Sequence, residues 1–403
     1  MSSEAARLRW WLAWTLFLST AINYIHRQTL SVLAPVITRE FHLSATEYAW
    51  IVSAFQIAYA VMWVGGGVLL DLIGTRLGLA VAVIWWSAAH ILTGIANSVA
   101  ALGLFRGLLG VGEGCNWPGA NKAVAESFPA RERGLATALY DSGSSVGAIV
   151  AAPLISMLAI HFGWRWSFAL TGLLGFAWLA LWLAVSRSGG RSRGEWVRPD
   201  GRRMLSVLRM REVWGIMLGR SFTDPVWWFY VFWVPKYFSD SRGFSLREIG
   251  MFTWIPFVAA AAGNFAGGWA SGFLIRRGKP VPAARKWVCL VSSAPMLAGI
   301  WVGLVSGPYV ALALISLATF GYAAWSTMGL TFSADLFPPE LVATTTGLGG
   351  FAAGLAGTLF TLVVGVLVDR FSYVPAFAAA GALPLLGTAS VWLLIGDRAG
   401  VGR

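Results

Sequence analysis

Three ionisable residues, Arg27, Arg106 and Glu113, lie inside long apolar stretches of the sequence. The stretches that contain them, 12–36 and 99–125, are each long enough to cross a bilayer. A charged side chain is costly at that depth and usually has a function there. Guanidinium groups can hold an organic anion, and a carboxylate can accept and release a proton. These residues therefore predict a pocket for an acidic solute and a proton.

Residues close to Arg27 are candidates for the same pocket. The planar guanidinium of Arg27 can bind a carboxylate through two hydrogen bonds. Asn23 lies one helical turn earlier and can contact hydroxyl groups. Tyr24 and His26 are further candidates, and for both the alternative is packing within the helix. Burial and the adjacent Arg27 both disfavour a charge on His26, so we do not expect it to carry the proton.

Two acidic residues are candidates for proton coupling. Glu113 is the first, because it shares its apolar stretch with Arg106. Asp141 is the second, and its spacing places it on one helix face with Ser144, which we expect to line the pocket. The alternative for Asp141 is an ion pair with a basic group at the cytoplasmic edge.

The second half of the chain offers an aromatic candidate surface. Trp228 and Tyr230 are expected to lie against the ring of the solute, with core packing as the alternative. Arg220 and Asp224 are four residues apart, which favours a pair along one helix. His90, in an earlier apolar stretch, is interpreted as structural.

Composition identifies a membrane protein. Of the 403 residues 57% are hydrophobic and 12% are charged, and the mean hydropathy is +0.67. Soluble domains carry about 25% charged residues. The net charge of +12 lies mostly in short loops between apolar stretches, so it predicts orientation in a lipid bilayer and no nucleic-acid partner.

The apolar stretches are organised in two sets of six. The polar segment 187–212 separates them, which predicts an N-terminal bundle of 1–186, a basic cytoplasmic linker and a C-terminal bundle of 213–403. We therefore expect an all-α membrane protein with about twelve transmembrane helices in two six-helix bundles. The predicted spans are 9–36, 46–70, 77–96, 99–125, 133–159, 165–186, 213–238, 246–275, 286–305, 308–333, 341–369 and 373–395.

The basic residues predict the orientation of these spans. With a cytoplasmic N-terminus, 20 of the 30 Lys and Arg residues lie on the cytoplasmic side and 6 on the other side. Positive charge is retained on the cytoplasmic side of membrane proteins. We therefore predict a multi-pass protein of the cytoplasmic (inner) membrane with both termini in the cytoplasm.

The ten-residue segment 67–76, between the second and third spans, carries a motif. It resembles the signature loop of the major facilitator superfamily, Gly-x-Leu-x-Asp-Arg-x-Gly-x-Arg, with Leu72 in place of the first Arg. A glycine permits a tight turn there, and an acid can cap or pair at a helix end. The residues assigned to this gating loop are Gly67, Asp71, Gly74 and Arg76.

A closer resemblance is carried by five segments. Together they resemble the anion:cation symporter branch of that superfamily, and within it the hexuronate transporters. The match is densest in the first 260 residues. The segments are 23–31, 112–122, 128–133, 142–147 and 224–230.

This resemblance implies a mechanism and a substrate class. It implies two bundles with alternating access and proton-driven uptake of sugar acids such as glucuronate or galacturonate. It also implies that Arg27 contacts the substrate carboxylate and that Arg106 and Glu113 are the fourth-helix arginine and the proton-linked glutamate. The chain departs from many relatives at two positions. Many of them have an acidic residue where this chain has His26, and Asn where this chain has Asp141. The acid of the first helix is therefore missing here.

Several other classes of function are weighed against this one. An anion exchanger or efflux carrier of the same fold is the rival within transport, and a transporter-fold substrate sensor is the rival outside it. The sequence has no Walker loop, no metal-ligand spacing and no nucleophile–base motif. We therefore expect no enzyme activity, no metal and no cofactor, and a monomer as the working state.

Small residues are concentrated in two corresponding stretches, 142–147 and 347–357. Small side chains allow helices to approach closely. Because alternating access requires two bundles to move against each other, we expect these stretches to lie where the bundles meet.

Overall fold

A computed structural model describes residues 3–128, 130–186, 207–337 and 339–396. In these residues the secondary structure is helical, with no strand, which confirms the all-α prediction. Most of the predicted linker, 187–206, lies outside the described residues. The helices of the first part are α1 (Ser3–Glu40), α2 (Ala45–Ile73), α3 (Thr75–Gly94), α4 (Val99–Glu113), α5 (Asn116–Ser127), α6 (Ala130–Phe162) and α7 (Trp164–Val185).

The second part continues in the same pattern. Its helices are α8 (Arg211–Arg242), α9 (Leu246–Phe252), α10 (Ile255–Arg276), α11 (Val281–Met296), α12 (Ala298–Val302), α13 (Pro308–Leu336), α14 (Pro339–Arg370) and α15 (Tyr373–Leu394). Seven helical stretches of the described chain are long and apolar enough to cross a membrane. The long helices α1, α2 and α8 are not among these seven.

Three of the predicted spans are interrupted, and proline is close to each break. The span 99–125 divides into α4 and α5, 246–275 into α9 and α10, and 286–305 into α11 and α12. Proline has no N–H and its ring clashes with the carbonyl four residues earlier. The residues four positions before Pro118 and Pro256 are Gly114, which caps α4, and Phe252, which ends α9. At these two breaks the carbonyl that lacks a helical donor lies at the end of the preceding helix, whereas α1, α6, α8 and α15 continue through their prolines.

The chain divides into two compact units. Unit 1 contains the described parts of 1–43, 50–197 and 239–254. In it α1 packs on α6 and α7, and α3 packs on α4 and α7. The short helix α9, which comes from the second half of the sequence, packs on α6 in this unit. These contacts hold the polar middle of α1 inside a bundle of apolar helices.

Unit 2 contains the described parts of 44–49, 198–238 and 255–403. Its centre is α13, which packs on α10, α11 and α14. The first turn of α2 also belongs to this unit. Asp369 at the end of α14 accepts hydrogen bonds from the backbone N–H groups of Ala45 and Thr46, both at 2.7 Å. The carboxylate thereby satisfies the unpaired donors at the start of α2.

Small residues of α6 and α14 allow close approach of a neighbouring helix within each unit. Gly143 and Gly147 of α6 lie against the backbone of α1 at Phe17 and Ala21, within unit 1. In unit 2, Gly349 and Gly357 of α14 lie against α8. They allow α1 and α8 to be packed tightly by a helix of their own unit. That these stretches lie where the two bundles meet stays a prediction.

Candidate functional site

An ion pair joins α1 to α4 in the interior of unit 1. Arg27 Nη2 lies 3.2 Å from Glu113 Oε2, and Arg27 Nε lies 3.4 Å from the same oxygen. The two side chains are 2% and 0% exposed. Isolated buried charges are unstable, so the two groups neutralise each other. The structure therefore brings together two of the residues predicted from the sequence, which are 86 positions apart.

Aromatic rings and one amide complete the surroundings of the Arg27 guanidinium. Asn23 Oδ1 accepts a hydrogen bond from Arg27 Nη2 at 3.0 Å. The guanidinium carbon lies 4.8 Å from the ring centre of Tyr24, 4.6 Å from that of Tyr59 and 5.2 Å from that of Phe55. Asn23 and Tyr24 were predicted here. Phe55 and Tyr59 of α2 were missed, because aromatic residues in an apolar helix usually indicate packing.

Two polar atoms of this cluster have no hydrogen-bond partner among the described residues. They are Oε1 of Glu113 and Nδ2 of Asn23, and both are buried. Nearly all buried polar atoms in proteins are hydrogen-bonded, so each exception requires an explanation. A carboxylate oxygen can take up a proton, and an amide N–H can donate to a ligand oxygen. The cluster thus has a free site for a proton and a free donor beside its cation.

Arg106 reaches α1 at its backbone. Its Nη1 donates to the carbonyl of His26 and its Nη2 to the carbonyl of Arg27, both at 3.4 Å. Its guanidinium carbon lies 5.1 Å from the ring centre of Phe55, and the side chain is fully buried. Arg106 and Glu113 are about 10 Å apart along α4, so they contact different atoms of α1. In this arrangement Arg106 holds the main chain that carries Arg27.

His26 is part of a stacked histidine pair. Its Nε2 donates to the carbonyl of Thr171 at 2.9 Å, and its ring lies on that of His90 with centroids 4.1 Å apart and planes at 15°. His90 Nε2 lies 2.9 Å from the Thr171 hydroxyl oxygen, and that hydroxyl donates to the carbonyl of Ser167 at 2.6 Å. The two Nε2 atoms are therefore the donors. His90, interpreted as structural from the sequence, has His26 and Thr171 as its partners.

Two further candidates of unit 1, Asp141 and Ser144, lie on α6. The Asp141 side chain is exposed and Ser144 is half-buried. Ser144 donates its hydroxyl to the carbonyl of Asp141 at 2.7 Å, a bond within one helical turn. The hydroxyl of Ser144 is thus used by its own helix.

The aromatic candidates of α8 differ from each other. Tyr230 is 2% exposed and packs against Phe377 and Gly299. Trp228 is half-buried and stacks on Phe232, with ring centroids 5.7 Å apart. Tyr230 therefore lies in the interior of unit 2, whereas Trp228 remains partly accessible.

The turn between α2 and α3 matches the role predicted for Gly74. Its φ of +83° lies in the left-handed region that favours glycine, and it precedes the first residue of α3. Arg76 donates to the carbonyl of Leu183 at 3.2 Å, which ties the turn to the end of α7. The side chain of Asp71 and the surroundings of Gly67 lie outside the described residues.

The sequence matches the profile of the Major Facilitator Superfamily over residues 16–361. It is 32% identical over 409 residues to a hexuronate transporter of Escherichia coli (strain K12), with 97% of this chain and 95% of the relative covered. It is 29% identical over 429 residues to a D-galactonate transporter of Escherichia coli O6:H1, with 100% and 99% covered.

A solved structure has the same fold. A D-xylose-proton symporter superposes on this chain with a TM-score of 0.79, over 96% of this chain and 98% of the symporter. The two sequences are 15% identical, so this likeness concerns the fold alone.

Proposed function

This chain belongs to the Major Facilitator Superfamily, and we propose that it moves hexuronates such as glucuronate or galacturonate across the cytoplasmic membrane together with protons. It is a multi-pass membrane transporter and not an enzyme. The hexuronate assignment is supported by the names of curated relatives, which include hexuronate, galacturonate and D-galactonate transporters.

The observation that carries this proposal is the buried pair of Arg27 and Glu113. A guanidinium in an apolar bundle must have an anionic partner, and here that partner is a carboxylate of the protein. A sugar acid offers a second carboxylate of the same chemistry. We expect the substrate carboxylate to replace Glu113 at Arg27, with Asn23 Nδ2 as an additional donor.

The exchange of partners links the proton to the substrate. When the substrate carboxylate takes Arg27, Glu113 loses its counter-charge inside a water-poor bundle. It then takes up a proton and becomes neutral, so that one anion and one proton enter the site together. When the proton leaves, the Glu113 carboxylate regains Arg27 and expels the substrate. This competition supplies the differential affinity that coupling requires.

Movement of the solute requires that the site open to each side in turn. We assign this step to alternating access of two six-helix bundles, which is the common mechanism in transporters of this type. The working unit is assigned as a monomer, in the inner membrane, with both termini in the cytoplasm. The rival functions, organic-anion exchange or efflux and substrate sensing, use the same anion site without a need for Glu113.

Uptake into proteoliposomes tests the proposal. Purified protein is reconstituted, and labelled glucuronate, galacturonate, galactonate and an uncharged hexose are offered with and without an inwardly directed proton gradient. We expect accumulation of hexuronate above the outside concentration only with the gradient, and no uptake of the hexose. Exchange that ignores the gradient would identify an exchanger instead. Binding without any flux would identify a sensor.

A further inference from the structure

We infer that Asp224, together with Tyr322 and Trp227, is a hydroxyl-recognition site that determines which sugar acid the transporter accepts. The inference rests on the proposed function. It names residues that recognise the hydroxyl groups of the sugar acid, as distinct from its carboxylate. The three residues lie on α8 and α13, within unit 2.

Asp224 forms an ion pair within α8. Arg220 contacts one of its oxygens, Oδ2, through both Nε at 2.9 Å and Nη2 at 2.8 Å. The side chains of Arg220 and Asp224 are 12% and 7% exposed. This confirms the pair predicted from their spacing. Because both donors of Arg220 use the same oxygen, the pair fixes the carboxylate and leaves Oδ1 for other contacts.

The second oxygen of Asp224 has a weak partner. The Tyr322 hydroxyl lies 3.4 Å from Asp224 Oδ1, whereas a good hydrogen bond between oxygens measures about 2.5–3.0 Å. A ligand hydroxyl that donates to Oδ1 at a normal distance would therefore form a stronger hydrogen bond than the Tyr322 hydroxyl does. Sugars present adjacent hydroxyls, and a carboxylate next to a phenol offers an acceptor and a donor for such a pair.

The ring of Tyr322 is part of an aromatic cluster with Trp227. The Trp227 ring lies parallel to that of Tyr322, with centroids 5.3 Å apart and planes at 11°, and meets Phe257 edge to face at 5.6 Å. Trp227 is half-buried, so part of its indole remains accessible. Ligand pockets typically combine aromatic walls with a few oriented polar groups. An indole beside a carboxylate matches a sugar ring, which has apolar C–H faces and a polar rim.

A proline follows the ion pair directly in the same helix. Pro225 follows Asp224 directly and cannot donate the helical bond to the carbonyl of Ser221. Gly349 of α14 lies close to the Arg220 side chain. A Cβ added at Gly349 would lie 3.5 Å from Arg220 Cδ. A purely structural ion pair would require neither the aromatic cluster nor the underused oxygen.

Transport of two hexuronates that differ at one hydroxyl tests the inference. Glucuronate and galacturonate are epimers at C4, and KM and kcat are measured for both in proteoliposomes under a fixed proton gradient. Loss of a hydrogen bond to a charged group typically weakens binding about 10-fold or more. We expect Asp224→Asn to raise KM for the preferred epimer by about that factor and to reduce the preference between epimers. Tyr322→Phe, which removes only the hydroxyl, should change the preference in the same direction.

Two further variants keep the test decisive. Ser316→Ala on α13 removes a hydroxyl that bonds its own helix, and it should retain the wild-type KM and epimer preference. Arg220→Gln combined with Asp224→Asn removes both charges, so it avoids an unpaired buried arginine if Asp224→Asn alone does not fold. Unchanged KM and unchanged preference in Tyr322→Phe and in a folded Asp224 variant would overturn this inference alone. If the wild-type protein takes up no hexuronate, the proposed function is overturned as well.

Discussion

At the scale of single residues, the proposed mechanism depends on one cation, Arg27, and on two carboxylates that compete for it. Arg27 is bound to Glu113 in the structure, and Glu113 keeps one oxygen without a hydrogen-bond partner among the described residues. Arg106 stabilises this arrangement by donating hydrogen bonds to the main-chain carbonyls of His26 and Arg27. The proposed mechanism assigns the anion to Arg27 and the proton to Glu113, and the two assignments can be tested separately.

The first prediction concerns Arg27. Arg27→Ala should nearly abolish hexuronate uptake, because the site loses its cation. Arg27→Lys should restore little, since an ammonium group does not reproduce the planar fork that bonds a carboxylate. Labelled uptake and detergent-solubilised yield are measured in parallel. The matched control is Arg165→Ala, which removes an arginine from an exposed pair with Glu40, with side chains 47% and 39% exposed. Wild-type uptake by Arg27→Ala would exclude this residue from the site.

The second prediction separates the proton from the substrate. Glu113→Gln is permanently neutral, so it should lose accumulation driven by a proton gradient while it retains exchange of labelled for unlabelled substrate. His26→Asn should retain gradient-driven accumulation, because His26 is engaged by Thr171 and His90. Both activities are measured in the same proteoliposomes. Uncoupling by His26→Asn with normal accumulation by Glu113→Gln would reverse the assignment.

At the scale of helices, close approach positions the functional side chains. The residue Gly147 of α6 faces the backbone of α1, one to two turns from Arg27. Glu40, at the C-terminal end of α1, accepts a hydrogen bond from Trp164 Nε1 at 2.6 Å and forms an ion pair with Arg165 at 2.7 Å. The contact at Gly147 sets the distance between α6 and α1, and the contacts of Glu40 connect the end of α1 to the start of α7.

The third prediction concerns the contact between α6 and α1. A Cβ at position 147 would lie 2.9 Å from backbone carbons of Ala21, so Gly147→Ala forces the helices apart. Overpacking of this kind costs about 1–3 kcal/mol. A lower midpoint of thermal unfolding in detergent is therefore expected. In contrast, Gly103→Ala meets no atom within 4 Å and should stabilise its helix by about 0.5–1 kcal/mol. Equal midpoints for the two variants would contradict this account of the glycines.

The fourth prediction concerns acid stability at Glu40, which lies beyond the first predicted span. Burial acts to raise the pKa of Glu40, but hydrogen bonds from Trp164 and Arg165 outweigh it and hold the pKa below the ordinary value of 4.5. A lowered pKa in the folded state contributes stability above pH 4.5, and this contribution is lost as pH falls through the folded-state pKa. Glu40→Gln should therefore lose less of its thermal stability than the wild type between pH 6 and pH 3, measured in steps of about 0.5. Parallel curves would contradict the role of this pair.

At the scale of the whole molecule, the distribution of charge predicts how the protein is inserted. The large excess of Lys and Arg on one side of the predicted spans favours that side as the cytoplasm. The turn after α8 is predicted to lie on the side opposite the cytoplasm, and its Gly243 has a φ of +71°. Turns of this kind tolerate insertions, which makes the topology accessible to reporters.

The fifth prediction is the topology itself. A fluorescent reporter that folds only in the cytoplasm should be active at either terminus. Alkaline phosphatase, which requires export, should be active when inserted after Gly243 and inactive at the termini. Both reporters are read in intact cells at matched expression. The opposite pattern would place the termini outside and would contradict the orientation inferred from the basic residues.

The sequence alone was sufficient for features that depend on one segment. Length and hydropathy identify membrane helices, spacing predicts that Arg220 pairs with Asp224, and a glycine at position 74 predicts the turn before α3. The presence of charges in apolar stretches also identifies Arg27, Arg106 and Glu113 as candidate functional residues. Each of these inferences uses only residues within a few helical turns of one another.

The tertiary structure decided which helices meet. It pairs Arg27 with Glu113, directs Arg106 to the backbone of α1 and stacks His26 on His90. It also surrounds Arg27 with aromatic rings of α2 and turns the glycines of α6 toward α1. The physical reason is that helical periodicity shows which residues share a face of their own helix. The neighbour of that face depends on how the helices rotate and pack, which is set by the sum of many contacts along the chain.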